Sequence, residues 1–400
     1  MKNYTHLLLF IICFSSCVNE VAKEKIVKNK YIDSPTVKKE KNKEELTEKK
    51  YNELAQFLGG YNCKKDSSLK SLESSQVFKD YQSKIDMLWR RTEDKIPIMK
   101  DWSSKELSDL NKDGGTLFYP FSGADFLHAD LFFPNHDHFV MIGLEPIGTF
   151  PNLRLKTKDS TFSIYMSQLK KSMNAILGMS FFRTIAMAKD FKSDLDGTLH
   201  VLMHFFARTN HEVLLQEKVA IMPNGSLTND LSELSDSTYI GNRYYFKRNG
   251  EEKIKSLVYF AVNIQNDPYL SRGGLFAKGL KTRTDLVAYL NGIDIKSTYL
   301  KSASYLMHRP TFSIIRNLIL NKSQHLLQDD SGIPIKYFDS NIWDLTYYGN
   351  YSYPIPLFKE RHQEDLKEVY LNKDKTKPLP FGIGYQFRRG TSNLMRASKK

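Results

Sequence analysis

Residues 116–145 read TLFYPFSGADFLHADLFFPNHDHFVMIGLE, and this stretch decides the fold class. Thr116 to Phe121 is a short apolar, aromatic-rich run that reads as a buried strand. Ser122 and Gly123 make a turn, and Ser122 to Phe133 reads as a helix closed by Pro134. His138 to Glu145 is a second apolar strand. Strand, helix and strand in that order imply a parallel pair joined by a right-handed crossover. The expected fold is therefore α/β, with a mostly parallel or mixed sheet flanked by helices.

Elements continue to alternate toward the carboxyl terminus. Phe162, Tyr165, Leu169, Met173 and Ile176 mark a long amphipathic helix with Gly178 as its stop. Gly197 to Arg208 is a strongly apolar helix. Val213, Leu215, Val219 and Ile221 alternate as a strand, turned by Pro223-Asn224-Gly225. Ser256 to Ile264 reads as a strand, and Thr284 to Leu290 as a short helix ended by Asn291-Gly292. Pro310 suits the first turn of a helix running to Asn321. Gln324 to Gln328, Ile342 to Tyr348 and Phe381 to Phe387 are read as later strands, and Phe381 to Lys400 as a basic tail without an acid.

In the other direction, the turn cluster Asn111-Lys112-Asp113-Gly114-Gly115 bounds a main domain at 111–400. Residues 51–110 read as an N-terminal helical extension. Leu54, Phe57 and Leu58 stop at Gly59-Gly60, and Val77, Tyr81, Ile85 and Leu88 form a second apolar stripe. Residues 17–50 form a Lys- and Glu-rich tether with too few large apolar residues to offset the entropy of ordering. Residues 1–16 have the layout of a cleaved export signal. Lys2 precedes an apolar run from Leu7 to Phe14 that is too short to cross a bilayer. Ser15 and Ser16 then lead to Cys17, an approach that resembles the lipobox of bacterial lipoproteins, with Phe14 where that family usually has Leu. The resemblance implies lipid modification of Cys17, palmitate included, and a protein anchored in the cell envelope, facing the periplasm or the cell exterior.

A composition of 41% hydrophobic and 12% aromatic residues supports a sizeable core. With the signal removed and Cys17 acylated, Cys63 has no partner within the chain, so no disulfide framework is available. The formal charge of +13 suits a solvated lysine-rich surface first, and contact with a polyanion second. Export turns that expectation away from nucleic acid and toward anionic lipid headgroups or an anionic envelope polymer.

Six residues stand out as candidates for ligand binding. Ser122, Gly123 and Asp125 lie where a strand gives way to a helix, a place where unpaired N–H groups favour polar ligands. Glu145 ends the next strand, as the ribose-binding acid does in nucleotide-binding α/β folds. The segment resembles the first strand–loop–helix of Rossmann-like methyltransferases, but Gly123 stands alone where such loops carry two or three glycines. Ser122 and Asp125 equally suit a helix cap. Asp329 and Asp330, in Gln328-Asp329-Asp330-Ser331-Gly332, follow an apolar strand and equally suit a turn. His200 and His204 have the spacing of a zinc pair, but Val201 replaces the glutamate of the protease motif. Their apolar neighbours indicate core histidines, and no metal or cofactor is expected. Tyr347 to Pro354 is aromatic enough to stack on sugars. As a set, FYPFSGADFLHADLFFP, GLEPIG, SYLMHR and QDDSGIP resemble an uncharacterised group of bacterial exported proteins, which transfers no catalytic residue. The expected function is binding of a small polar ligand or an envelope polymer. The alternative is an envelope hydrolase or transferase using Asp125, Glu145, Asp329 and Asp330.

Overall fold

The computed structural model describes residues 49–63, 67–149, 153, 159–179, 197–232, 234, 239–266, 284–387 and 390–400. Cys17 and the segment before it lie outside them, as does nearly all of the tether. The first four helices are α1 (Lys49–Leu58), α2 (Ser67–Glu73), α3 (Gln76–Glu93) and α4 (Ile96–Glu106). Then come β1 (Thr116–Pro120), α5 (Phe126–Phe132), β2 (His138–Gly143), α6 (Asp159–Met179) and α7 (Leu199–Arg208). Four strands follow, β3 (His211–Ile221), β4 (Leu227–Thr228), β5 (Ile240–Arg248) and β6 (Lys255–Ala261). The remainder is α8 (Thr284–Gly292), β7 (Ile295–Leu300), α9 (Ser313–Lys322), β8 (His325–Gln328), β9 (Trp343–Gly349), α10 (Glu364–Leu371), β10 (Thr376–Lys377) and β11 (Asn393–Lys399).

Successive side chains on β1 enter different cores. Leu117 and Tyr119 join one apolar cluster and Phe118 the other. On β2, Phe139 and Met141 alternate with Val140 and Ile142 in the same way. A strand buried on both faces must be apolar at consecutive positions, which is why these runs show no alternation. The first core takes α1, α3, α5, α6 and α7; the second takes α8, α9 and α10.

The strands form one 11-stranded mixed sheet in the order β10-β9-β11-β8-β7-β1-β2-β6-β5-β3-β4. Its centre, β8-β7-β1-β2-β6, is parallel throughout. The β1–β2 crossover carries α5 on the first face, and the β7–β8 crossover carries α9 on the second. The crossovers change face between β1 and β7. This is the topological switch point of a doubly wound sheet, and ligands of such folds bind outside the carboxyl ends of the strands at that point.

Several boundaries and elements differ from the sequence reading. The helix expected from Ser122 begins at Phe126, because residues 121–125 are spent on a turn and cap. Phe381 to Phe387 is not a strand; Gly384–Gln386 is a single 3-10 turn there. The last strand is instead β11, inside the supposed basic tail, where it pairs with both β8 and β9. Strands β5 and β7 carry no local apolar pattern that marks them in the sequence, and α6 runs one residue past Gly178.

Candidate functional site

The loop after β1 turns sharply. Phe121 has φ of 62° and Gly123 has φ of 52°, both left-handed. Ser122 N–H donates to Ile142 O at 2.9 Å and extends the ladder with β2 by one bond. Ser122 does not cap the helix; Asp125 does, accepting from His128 N–H at 3.3 Å. The loop also packs closely on the end of β2, where Gly143 leaves it room. A methyl group on Gly143, at the end of β2, would lie 3.2 Å from Gly123 Cα and 2.5 Å from both Glu145 Oε2 and Tyr259 Oη. Glu145 lies two residues beyond β2, is 2% exposed, and folds its carboxylate back beside the Gly123 loop. The structure thus brings Gly123 and Glu145 together.

Asp125 is the hub of the rim. Tyr119 Oη donates to its Oδ2 at 2.8 Å, and Lys301 Nζ, from just beyond β7, pairs with the same oxygen. His128 Nδ1 lies 2.8 Å from Oδ1 and 3.1 Å from Lys301 Nζ. One ring nitrogen cannot donate to Asp125 and accept from Lys301 at once, so the shorter contact assigns its hydrogen to the Asp125 bond. Burial opposes the Asp125 charge, but the charges and hydrogen bonds of His128 and Lys301 outweigh it. They hold the carboxyl well below the usual range. Burial lowers the His128 pKa against the pull of Asp125. Burial and the Asp125 charge together push the Tyr119 and Tyr299 phenols well up.

Asp329 follows β8 and faces the same loops. Its Oδ2 accepts from Ser302 N–H at 2.8 Å, and its Oδ1 accepts from Ser331 N–H at 3.0 Å and from the Ser331 hydroxyl. Gly384, with φ of 69°, closes over Oδ2 so tightly that a Cβ would not fit. Lys301 and Ser302 therefore join Asp125 to Asp329 through adjacent residues. Asp330 turns the other way. It accepts from Tyr305 Oη and from Asn393 Nδ2, the latter at 2.9 Å, while Gln363 Nε2 donates to its carbonyl at 3.1 Å. Burial raises the Asp329 pKa; burial and the Asp329 charge push Asp330 up to about 7. A cavity of about 10 Å³ beside Gln363, Tyr370 and Asn393 has room for one water.

All six sequence candidates lie on the carboxyl rim of the parallel strands. They form two groups rather than one pocket: Gly123 with Glu145, and Asp125 with Asp329 through Lys301, with Asp330 behind. Ser122 is buried, and its hydroxyl donates to the carbonyls of Gly123 and Ile142. The residue missed from sequence is Lys301. It follows Thr298-Tyr299-Leu300, and a lysine ending an unrecognised strand carries no motif. Strain marks the same place. Of five non-glycine residues with positive φ among the described residues, Phe121, Ser302, Ser304 and Tyr305 lie on the loops after β1 and β7. Each costs on the order of 1–3 kcal/mol and persists only where its surroundings over-determine it. Tyr385 supplies part of that hold: its hydroxyl donates to Ser302 O at 3.0 Å and accepts from Ser304 N–H at 3.1 Å.

The histidine pair on α7 serves separate partners. His200 Nδ1 meets Tyr165 Oη at 2.8 Å and His204 Nδ1 meets Leu58 O at 3.0 Å. Among the described residues no group of three side chains is placed to hold a metal. No described helix is long and apolar enough to cross a membrane. In the aromatic stretch, Tyr351 is buried and Tyr353 is 58% exposed, its ring 4.5 Å from that of His362.

The chain matches no protein-family model, no curated protein and no solved structure.

Proposed function

We propose that this chain is a cell-envelope lipoprotein, anchored through Cys17, whose body binds a small polar ligand at the switch-point crevice between the loops after β1, β2 and β7. The observation that carries the reading is the concentration of left-handed, non-glycine backbone at Phe121, Ser302, Ser304 and Tyr305, on the loops after β1 and β7 at the switch point. Strain held at a switch point fits a binding function better than a purely structural one.

The crevice favours hydroxyl- or amine-bearing ligands over phosphates. In dinucleotide folds a pyrophosphate sits at the start of the first helix. Here the Asp125 carboxylate already occupies that position and is neutralised by Lys301. Glu145, beside Gly123 and already paired with Tyr259, is the carboxylate placed to take a further bond from a ligand donor. A hydrolase or transferase is the less supported reading. The raised pKa of Asp330 would suit a general acid, but its oxygens are held by Tyr305 and Asn393.

The test is calorimetric titration of the full chain with neutral sugars, amino acids and nucleosides. A ligand of this site binds at least tenfold more weakly to Glu145→Gln, whose unfolding midpoint is otherwise close to that of the parent. If every ligand found binds Glu145→Gln and Gly123→Val as tightly as the parent, the crevice is not the site.

A further inference from the structure

The opposite edge of the sheet holds a second feature, independent of the crevice. The amino ends of β1, β2 and β6 border an open basin of about 840 Å³, within the range of small-molecule sites. Lys100, Asn111, Lys112, Arg248, Lys253 and Lys255 line it. The nearby carboxylates are already engaged. Asp130 holds Arg248 at 2.7 Å and Glu251 meets the same guanidinium at 3.5 Å. Asp113 faces Lys296 at 3.6 Å, and Asp137 holds Lys253 at 2.5 Å. Lys100, Lys112 and Lys255 are left with no carboxylate ion pair among the described residues.

Lys255 is the unusual member. It is 3% exposed, and its ammonium donates to Pro134 O. Asp130 and Glu251 act on it only beyond ion-pair distance and are shared with Arg248, so a bound anion would complete the pairing of a buried ammonium. Asn111 adds an acceptor. It is 6% exposed, and its Nδ2 donates to Leu107 O at 3.1 Å and Phe132 O at 2.9 Å, which fixes the orientation of the amide. Its Oδ1 is then a buried acceptor with no hydrogen-bond partner. A hydroxyl entering from the basin would satisfy it.

We infer that this basin binds the anionic group of a small hydroxylated molecule, a sugar phosphate or an acidic sugar. Lys100, Lys112 and Lys255 hold the anion, and Asn111 Oδ1 accepts from a hydroxyl. The probes are glucose 6-phosphate, glucuronate, inorganic phosphate and glucose, titrated into the full chain at matched ionic strength. At least one of the first two should bind saturably and more tightly than inorganic phosphate or glucose, and whichever binds assigns the class. The exposed double variant Lys100→Gln/Lys112→Gln should weaken that binding about tenfold, and Lys255→Gln should abolish it. If Lys255→Gln does not fold, the double variant decides. Absence of binding by both acidic probes, binding no tighter than that of phosphate or glucose, or unchanged affinity in the variants overturns the inference. Binding at the crevice does not depend on any of these residues, so the two readings fail separately.

Discussion

Lys301 and Asp125 stand 176 residues apart in the chain and meet in the interior, with 2% and 4% of their side chains exposed. Such a pair is a weak source of net stability, because two charges lost their hydration to form it. Breaking it is another matter. Lys301→Met leaves Asp125 charged, buried and short of its ammonium partner, and should cost about 3–5 kcal/mol in urea unfolding. Asp125→Asn/Lys301→Met removes both charges and should recover at least half of that loss. If the double variant is as unstable as the single, the pair is not the cause. The aspartates at β8 act in a different pH window. Asp330 is pushed up to about 7, so the folded chain holds a proton there that the unfolded chain has released. Stability from this group is present below the ordinary carboxyl range and declines as pH rises from about 4 to 7. Asp125 has the opposite sign: its lowered pKa contributes stability above the ordinary carboxyl range, lost only in stronger acid. Urea unfolding at pH 4.5 and pH 7.5 should show Asp330→Asn losing less stability between the two than the parent does. An equal loss in both proteins would assign the decline elsewhere.

At the scale of elements, legibility followed polarity. Strands β1, β2 and β6 are apolar enough to be recognised locally. Strands β5, β7 and β11, reading IGNRYYFKR, IKSTYL and NLMRASK, are not. Several of their polar residues, among them Asn242, Ser297, Thr298 and Asn393, are buried, and on β7 and β11 distant residues satisfy them. Ser297 meets His136 Nε2 at 3.0 Å, Thr298 meets the Ser323 hydroxyl at 2.7 Å, and Asn393 meets Asp330. A local window counts those residues as exposed, since their partners lie outside it. Strand β11 shows the consequence. It pairs antiparallel with β8 on one side and with β9 on the other, so it is an interior strand rather than a tail. Ending the chain at Ser392 should abolish cooperative unfolding, measured by circular dichroism during heating. A truncated chain that still melts in one sharp transition near the parent midpoint would show that β11 is dispensable.

For the whole molecule, the amino-terminal residues carry the prediction about location. Cys17→Ser should move the protein from the membrane fraction to the soluble envelope fraction, because a peptide without acyl chains has no comparable hold on a bilayer. Retention in the membrane fraction would exclude Cys17 as the anchor. The α/β class was readable in residues 116–145, since burial on both faces forces consecutive apolar residues and a crossover helix forces a parallel pair. The candidate acids were readable too, as polar residues at the ends of those runs. Where β7 inserts was not readable, and with it went Lys301, the strained loop 302–305 and the division of the six candidates into two groups. Local sequence sets which residues must leave water and with what period. Strand order and the partners of buried charges come from closing long loops around two cores at once, and those contacts exist only in the folded chain.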